Sequence, residues 1–208
     1  MTEQAAEEPF HDTDRQEQAD RLGMLVFLAS EIMLFGGIFA ATMALRIQHP
    51  QDYMKAASHL RLALGTANTA ILLTSSLAAA LAVEGARSGR SRWAARALAA
   101  ACLLGTAFLA VKGYEYAGEY REGLMPGTAA AHFSGPLQRL FMDLYFLATG
   151  LHAFHVLTGI VLMLTAALNR TALHDRRAVL IGNVALYWHL VDIVWIFLFP
   201  TLYLAGVP

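Results

Sequence analysis

The chain has 208 residues, 57% of them apolar and 15% charged, with a net charge of −1 and a mean hydropathy of +0.46. A soluble domain has roughly 45–50% apolar and about 25% charged residues, so these values describe a polytopic membrane protein, and the charge argues against a nucleic-acid partner. Cys102 is the only cysteine, which excludes an intrachain disulfide and any cysteine-based cluster or zinc site.

Residues 1–20 set Glu3, Glu7, Glu8, Asp12, Asp14, Glu17 and Asp20 against Arg15 alone. They read as a solvated tail, disordered or briefly helical beside the membrane. The apolar run that follows is too long for a cleavable signal peptide and acts as an uncleaved anchor. Residues 21–208 form a single membrane domain.

A spanning helix needs about 20 mostly apolar residues. The windows that qualify are Leu22–Leu45, Leu60–Val83, Trp93–Tyr116, Leu140–Leu168 and Ala178–Leu204. The expected fold is all-α, a bundle of five transmembrane helices joined by short polar loops. The fourth window is long enough to tilt or to begin with an interfacial turn. The longest loop, Ala117–Arg139, carries Pro126, Gly127, Gly135 and Pro136 as turn signals.

Charge chooses the orientation. The tail and the even loops hold Arg15, Arg21, Arg87, Arg90, Arg92, Arg96, Arg170, Arg176 and Arg177; the odd loops hold Arg46, Lys55, Arg61, Arg121 and Arg139. The positive-inside rule places the N-terminus inside and the C-terminus outside.

Small residues crowd the second and third spans. Gly65, Ala67, Asn68, Thr69, Ser75 and Ser76, then Ala94, Gly105 and Thr106, predict close helix packing with interhelical hydrogen bonds. Cys102, in an Ala/Leu-rich run, reads as a small buried apolar residue. Trp93, Tyr114, Tyr116 and Tyr203 fall near predicted helix ends, where interfacial aromatics sit.

Several ionisable residues lie within the spans, where each costs on the order of 3 kcal/mol or more unless received by the protein. Glu31 lies roughly 14 Å from the start of the first span at about 1.5 Å per residue. His152 and His155 are near the middle of the fourth span, His189 and Asp192 near the middle of the fifth. Lys112 lies toward the end of the third and can snorkel or pair with Glu115 at i, i+3.

His152-x-x-His155 facing His189-x-x-Asp192 could offer four metal ligands. Di-metal bundles, however, use Glu-x-x-His pairs and bridging carboxylates, which are scarce here. A buried network outweighs a metal site, with histidine donating to a carbonyl, to Asp192, or to a hydroxyl such as Thr149 or Thr158. It is expected to lock the fourth helix to the fifth. Glu31 has no cation within a turn. Desolvation there favours the uncharged acid, either handling protons or meeting lipid, or hydrogen-bonded to a neighbouring helix.

Five stretches together resemble haem–copper oxidase subunit III. They are Arg21–Glu31 (RLGMLVFLASE), Asn68-Thr69 with Leu72–Ser75, Tyr114-Glu115-Tyr116, Ala148–Val156 (ATGLHAFHV) and Tyr187–Trp195 (YWHLVDIVW). The last contains Trp188, beside His189. The resemblance runs from Arg21 to the C-terminus and implies an accessory subunit of a terminal oxidase, foremost cytochrome c oxidase. That complex serves aerobic respiratory electron transport coupled to proton translocation, in the bacterial inner membrane.

By this resemblance the chain holds no redox cofactor, catalytic residue or metal. Haems and copper belong to partner subunits, and cytochrome c or quinol binds elsewhere. It would pack on subunit I, with subunit II and a small subunit IV nearby, bind structural phospholipid in a cleft, and support proton uptake. Glu31 would be the carbodiimide-reactive carboxyl, with Glu115, His152, His155, Trp188, His189 and Asp192 in an interhelical network or lipid cleft. The longer family members have two more N-terminal helices, which this sequence lacks, so part of that cleft must come from elsewhere. Two other readings stand beside this one: a subunit-III-like protein of nitric oxide reductase, and a stand-alone proton-coupled transporter. Against the transporter, the chain has no internal repeat and no proline-broken helix pair.

Overall fold

The apolar runs fold as long helices in a computed structural model that describes residues 13–126, 135–168 and 174–206. The described residues are all-α: α1 (Thr13–Gln48), α2 (Pro50–Ala57), α3 (Leu62–Arg87), α4 (Ser91–Arg121), α5 (Pro136–Leu168) and α6 (His174–Leu202), then a 3-10 turn, Leu204–Gly206. Among the described residues, five stretches are long and apolar enough to cross a membrane: Arg21–Gln48, Leu62–Arg87, Ser91–Arg121, Pro136–Leu168 and Val179–Gly206. Each contains or nearly coincides with a predicted window. Tail residues 1–12, Gly127 and Arg170 lie outside the described residues.

Two boundaries show why the hairpins form. The α3–α4 turn places Gly89 at φ 71°, and the Arg90 N–H donates to Gly85 O at 2.9 Å. At the end of α4, Gly123 takes φ 68° and the Leu124 N–H donates to Glu119 O at 2.9 Å. Both ends carry the left-handed glycine and the six-to-one hydrogen bond that close a Schellman motif. The long loop therefore begins after Arg121 and ends at Pro136, shorter than predicted, because α4 and α5 continue beyond their apolar windows.

The first loop is not merely polar connection. It contains α2, which the sequence reading missed because some two turns of amphipathic helix carry no spanning signal. Pro50 opens it, and Tyr53, Ala56 and Ala57 turn inward. The Tyr53 hydroxyl donates to Thr201 O at 2.7 Å, supplying a donor near the end of α6. Burial pushes the Tyr53 phenol up to about 12, against a smaller lowering by Arg46, whose guanidinium lies 5.9 Å from the ring centroid. Asp52 accepts from Gln138 Nε2 at 3.1 Å, joining α2 to the first turn of α5.

Four helices form a ring in which α3 packs on α4, α4 on α5, α5 on α6, and α6 back on α3, while α1 lies outside against α5 and α6. α4 and α6 stand diagonally across this ring, so long side chains must fill its centre. Trp188, Trp195, Phe108 and His152 do so, all fully buried. Glycine makes room for the largest of them. A Cβ at Gly159 of α5 would lie 2.6 Å from Trp188 Cε3, and one at Gly105 of α4 would lie 2.6 Å from Trp188 Cη2. Gly65 plays the same part for Phe199 and Tyr203, at 2.9 Å from each ring. The small-residue faces read from sequence are thus the floors on which aromatic rings lie.

Gly159→Ala is expected to overpack this centre and cost about 1–3 kcal/mol, read as a lowered Tm in detergent. Gly36→Ala, where an added methyl meets nothing within 4 Å, serves as the control. Equal melting of the two variants would refute the role assigned to Gly159.

Candidate functional site

α1 carries Glu31 to the face that rests on α5. There Glu31 Oε2 and His155 Nε2 are 2.7 Å apart. The other ring nitrogen, Nδ1, lies 2.8 Å from Leu151 O. A carbonyl only accepts, so Nδ1 carries a hydrogen. Nε2 and the carboxyl then share one further proton: either Glu31 donates it to a neutral ring, or the protonated ring donates it to a carboxylate. In both forms the Glu31–His155 bond holds one proton. Phe35 meets the His155 ring edge-on with centroids 5.3 Å apart, and the Tyr187 hydroxyl donates to His155 O at 3.2 Å. The sequence offered Glu31 no cation within a turn; its partner comes from another span.

The remaining mid-span groups do not converge. His189 Nδ1 is 2.7 Å from Ser76 Oγ, so this histidine joins α6 to α3 and not, as expected, to α5. Asp192 is buried near the same Ser76, and among the described residues neither of its carboxyl oxygens is within hydrogen-bonding geometry of a partner. His152 is fully buried between Phe108 and Trp195, with ring centroids 5.4 and 5.2 Å away, and among the described residues neither nitrogen is hydrogen-bonded. Trp188 Nε1 is likewise buried without a partner. Of the two hydroxyls proposed for the histidines, Thr149 meets Tyr116 and its own helix, and Thr158 bonds Phe154 O. Among the described residues, no three His, Cys, Asp or Glu side chains are placed to hold a metal ion. His152 and His155 lie three positions apart yet turn to different neighbours.

A second polar cluster sits near the end of α4. Lys112 is 3% exposed and does not snorkel. Its three N–H groups reach Glu115 Oε2 at 2.9 Å, Tyr145 OH at 2.8 Å and Tyr203 OH at 2.7 Å. Tyr145 passes its own proton to Glu119 Oε1 at 2.7 Å, and Tyr203 donates to Glu115 Oε2 at 3.0 Å. The rings of Tyr145 and Tyr203 also stand under the ammonium, 4.7 and 5.4 Å from it to their centroids. The Lys112–Glu115 pairing was legible as i, i+3. Glu119 was overlooked, although Lys112, Glu115 and Glu119 fall on one helical face. Tyr203, read as an interfacial aromatic, is instead buried in this cluster, whereas Trp93 and Tyr114 are exposed as expected.

Lys112→Met would strand two buried carboxyls beside two phenols that have lost their donor. Breaking such a pair from one side costs about 3–5 kcal/mol, measurable as a fall in Tm. The double variant Lys112→Met/Glu115→Gln is expected to recover part of that loss. A single variant as stable as the unsubstituted chain would show the cluster contributes nothing.

Comparison with known proteins agrees with the family that the five motifs resemble. A family model described as cytochrome c oxidase subunit III matches residues 5–207. A probable cytochrome c oxidase subunit 3 of Nocardia farcinica (strain IFM 10152) is 30% identical over 186 residues, covering 88% of this chain and 86% of that protein. A probable quinol oxidase subunit 3 of Staphylococcus aureus (strain USA300) is 31% identical over 206 residues, covering 94% and 96% respectively. With five membrane-length helices and a family match across nearly its whole length, the chain belongs to the cytochrome c oxidase subunit III family.

Proposed function

We propose that this subunit III serves a cytochrome c oxidase of a bacterial inner membrane as a non-redox accessory. In this reading it packs on subunit I, with subunit II and a small subunit IV as neighbours. Haems, copper and the catalytic centre reside in those partners. Residues 21–208 are the membrane subunit, and residues 1–20 are a cytoplasmic tail. The arginine bias supports an N-terminus inside and a C-terminus outside. The subunit stabilises its catalytic partner, supports proton uptake and holds structural phospholipid.

The observation that carries the proton role is the Glu31–His155 hydrogen bond, 2.7 Å long. It holds one proton at the edge of the bundle, on the helix whose membrane stretch is the least buried of the five. A carboxyl that shares a proton with an imidazole in this way suits proton exchange with a neighbouring subunit. Affinity purification of the chain from lipid-retaining membranes tests the host complex. Haem a and copper in the visible spectrum, with turnover of reduced cytochrome c, are the expected result. Turnover of quinol alone would move the chain to a quinol oxidase, and b and c haems with non-haem iron to a nitric oxide reductase.

A hydrophobic carbodiimide should label Glu31 in the assembled complex. Glu31→Gln is expected to abolish labelling while leaving the haem spectrum intact, and to let proton pumping fade faster over repeated turnovers. Undiminished labelling of the variant would assign the reactive carboxyl elsewhere.

A further inference from the structure

α1 and α3 both rest on α6 but scarcely touch each other. The gap between them is a cavity of about 470 Å³, within the range of roughly 300–1,000 Å³ typical of ligand sites. Its walls are apolar, with Leu25 from α1, Val83 from α3, and Val179 and Leu186 from α6. Consecutive spans run antiparallel, so the start of α1 and the end of α3 share one end of the bundle. Each helix places an arginine at that rim, Arg21 and Arg87. No acidic side chain lines the cavity, and among the described residues neither arginine has an ion-pair partner. His189 marks the other end, ten positions along α6 from Val179, or about 15 Å at 1.5 Å per residue. Gly182 lies on the floor, and a side chain there would enter open space.

A mainly apolar trough the length of a partial acyl chain, with two arginines at one mouth and no acidic side chain among the described residues lining it, is complementary to one kind of molecule. Arginine forks match phosphate oxygens, and basic pockets between spanning helices recruit anionic headgroups. The trough is separate from the Glu31 site, because Glu31 turns from α1 toward α5 while Arg21 and Leu25 turn toward α3.

We propose that the α1–α3–α6 groove seats one acyl chain of an anionic phospholipid whose phosphate is held by Arg21 and Arg87. This deepens the lipid-binding part of the function proposed above, on which it rests, by naming the place and the headgroup charge.

Native mass spectrometry of the complex, purified from nanodiscs of equimolar phosphatidylglycerol and phosphatidylcholine, tests it. The unsubstituted complex is expected to retain phosphatidylglycerol several-fold over phosphatidylcholine, and excess inorganic phosphate should not displace it. Arg21→Gln/Arg87→Gln should bring the two lipids to parity. Gly182→Leu, filling the groove without touching the arginines, should lower retention of both. Unchanged haem spectra in each variant report an intact complex. Variants that keep full phosphatidylglycerol preference would overturn the groove as the site while leaving lipid binding by the subunit standing. An unsubstituted complex that retains no lipid would overturn both, and displacement by inorganic phosphate would overturn the acyl-chain part.

Discussion

Lys112 has three hydrogens to place in a region where no water competes for them, and each finds its acceptor on a different residue: Glu115 of α4, Tyr145 of α5 and Tyr203 just beyond α6. A buried ammonium is costly unless it is paired and hydrogen-bonded, so this one cation dictates how three helices meet. The two phenols accept from the lysine and donate onward to Glu119 and Glu115. A mis-rotation of α4 would leave a cation, two phenols and two carboxyls unpaired together. The penalty makes this end of the bundle single-valued. The diagonal between α4 and α6 is bridged there by side chains alone.

The middle of the ring solves the same spacing problem with bulk in place of charge. Trp188 spans from α6 to Gly105 and Gly159, and the two glycines are needed because a methyl at either would meet the indole at 2.6 Å. Trp195, about two helical turns further along α6, donates from Nε1 to Thr69 at 3.0 Å and so ties the same helix to α3. His189 repeats that tie through Ser76. Small residues let the backbones approach; the polar contacts then select the rotation. Dispersion alone would leave α6 free to turn about its axis, since lipid tails are as apolar as its neighbours.

How far this was readable in the sequence depends on where each partner lies. Helix existence followed from apolar length, and Lys112–Glu115 from spacing, because both properties are local to one helix. The histidines were harder. Positions three apart differ by about 60° around an α-helix, which in a ring of four is enough for His155 to face α1 and His152 the ring centre. Spacing therefore suggested a shared face that packing divides. Ser76 had been read only as part of a small-residue surface, and nothing local marks it as the partner of His189. The phenols of Tyr145 and Tyr203 were invisible as ligands of Lys112 for the same reason. Aromatics near a helix end have two solutions, the headgroup layer and a buried cation, and only the fold chooses between them.

α1 shows the same physics at its weakest setting. It lies outside the ring and is held by aromatic contacts, Phe27 on Tyr187 at 6.0 Å and Phe39 on Phe197 at 6.2 Å. Its one interhelical polar bond among the described residues is Glu31–His155. A helix with so little buried surface can be displaced at less cost than any member of the ring, and the groove beside α3 leaves it unsupported on one flank. The Glu31–His155 bond is thus made by the helix whose membrane stretch is the least buried of the five among the described residues. α1 thus meets α5 through Glu31 and borders the groove beside α3 with Arg21 and Leu25, so one weakly buried helix carries both features on different faces.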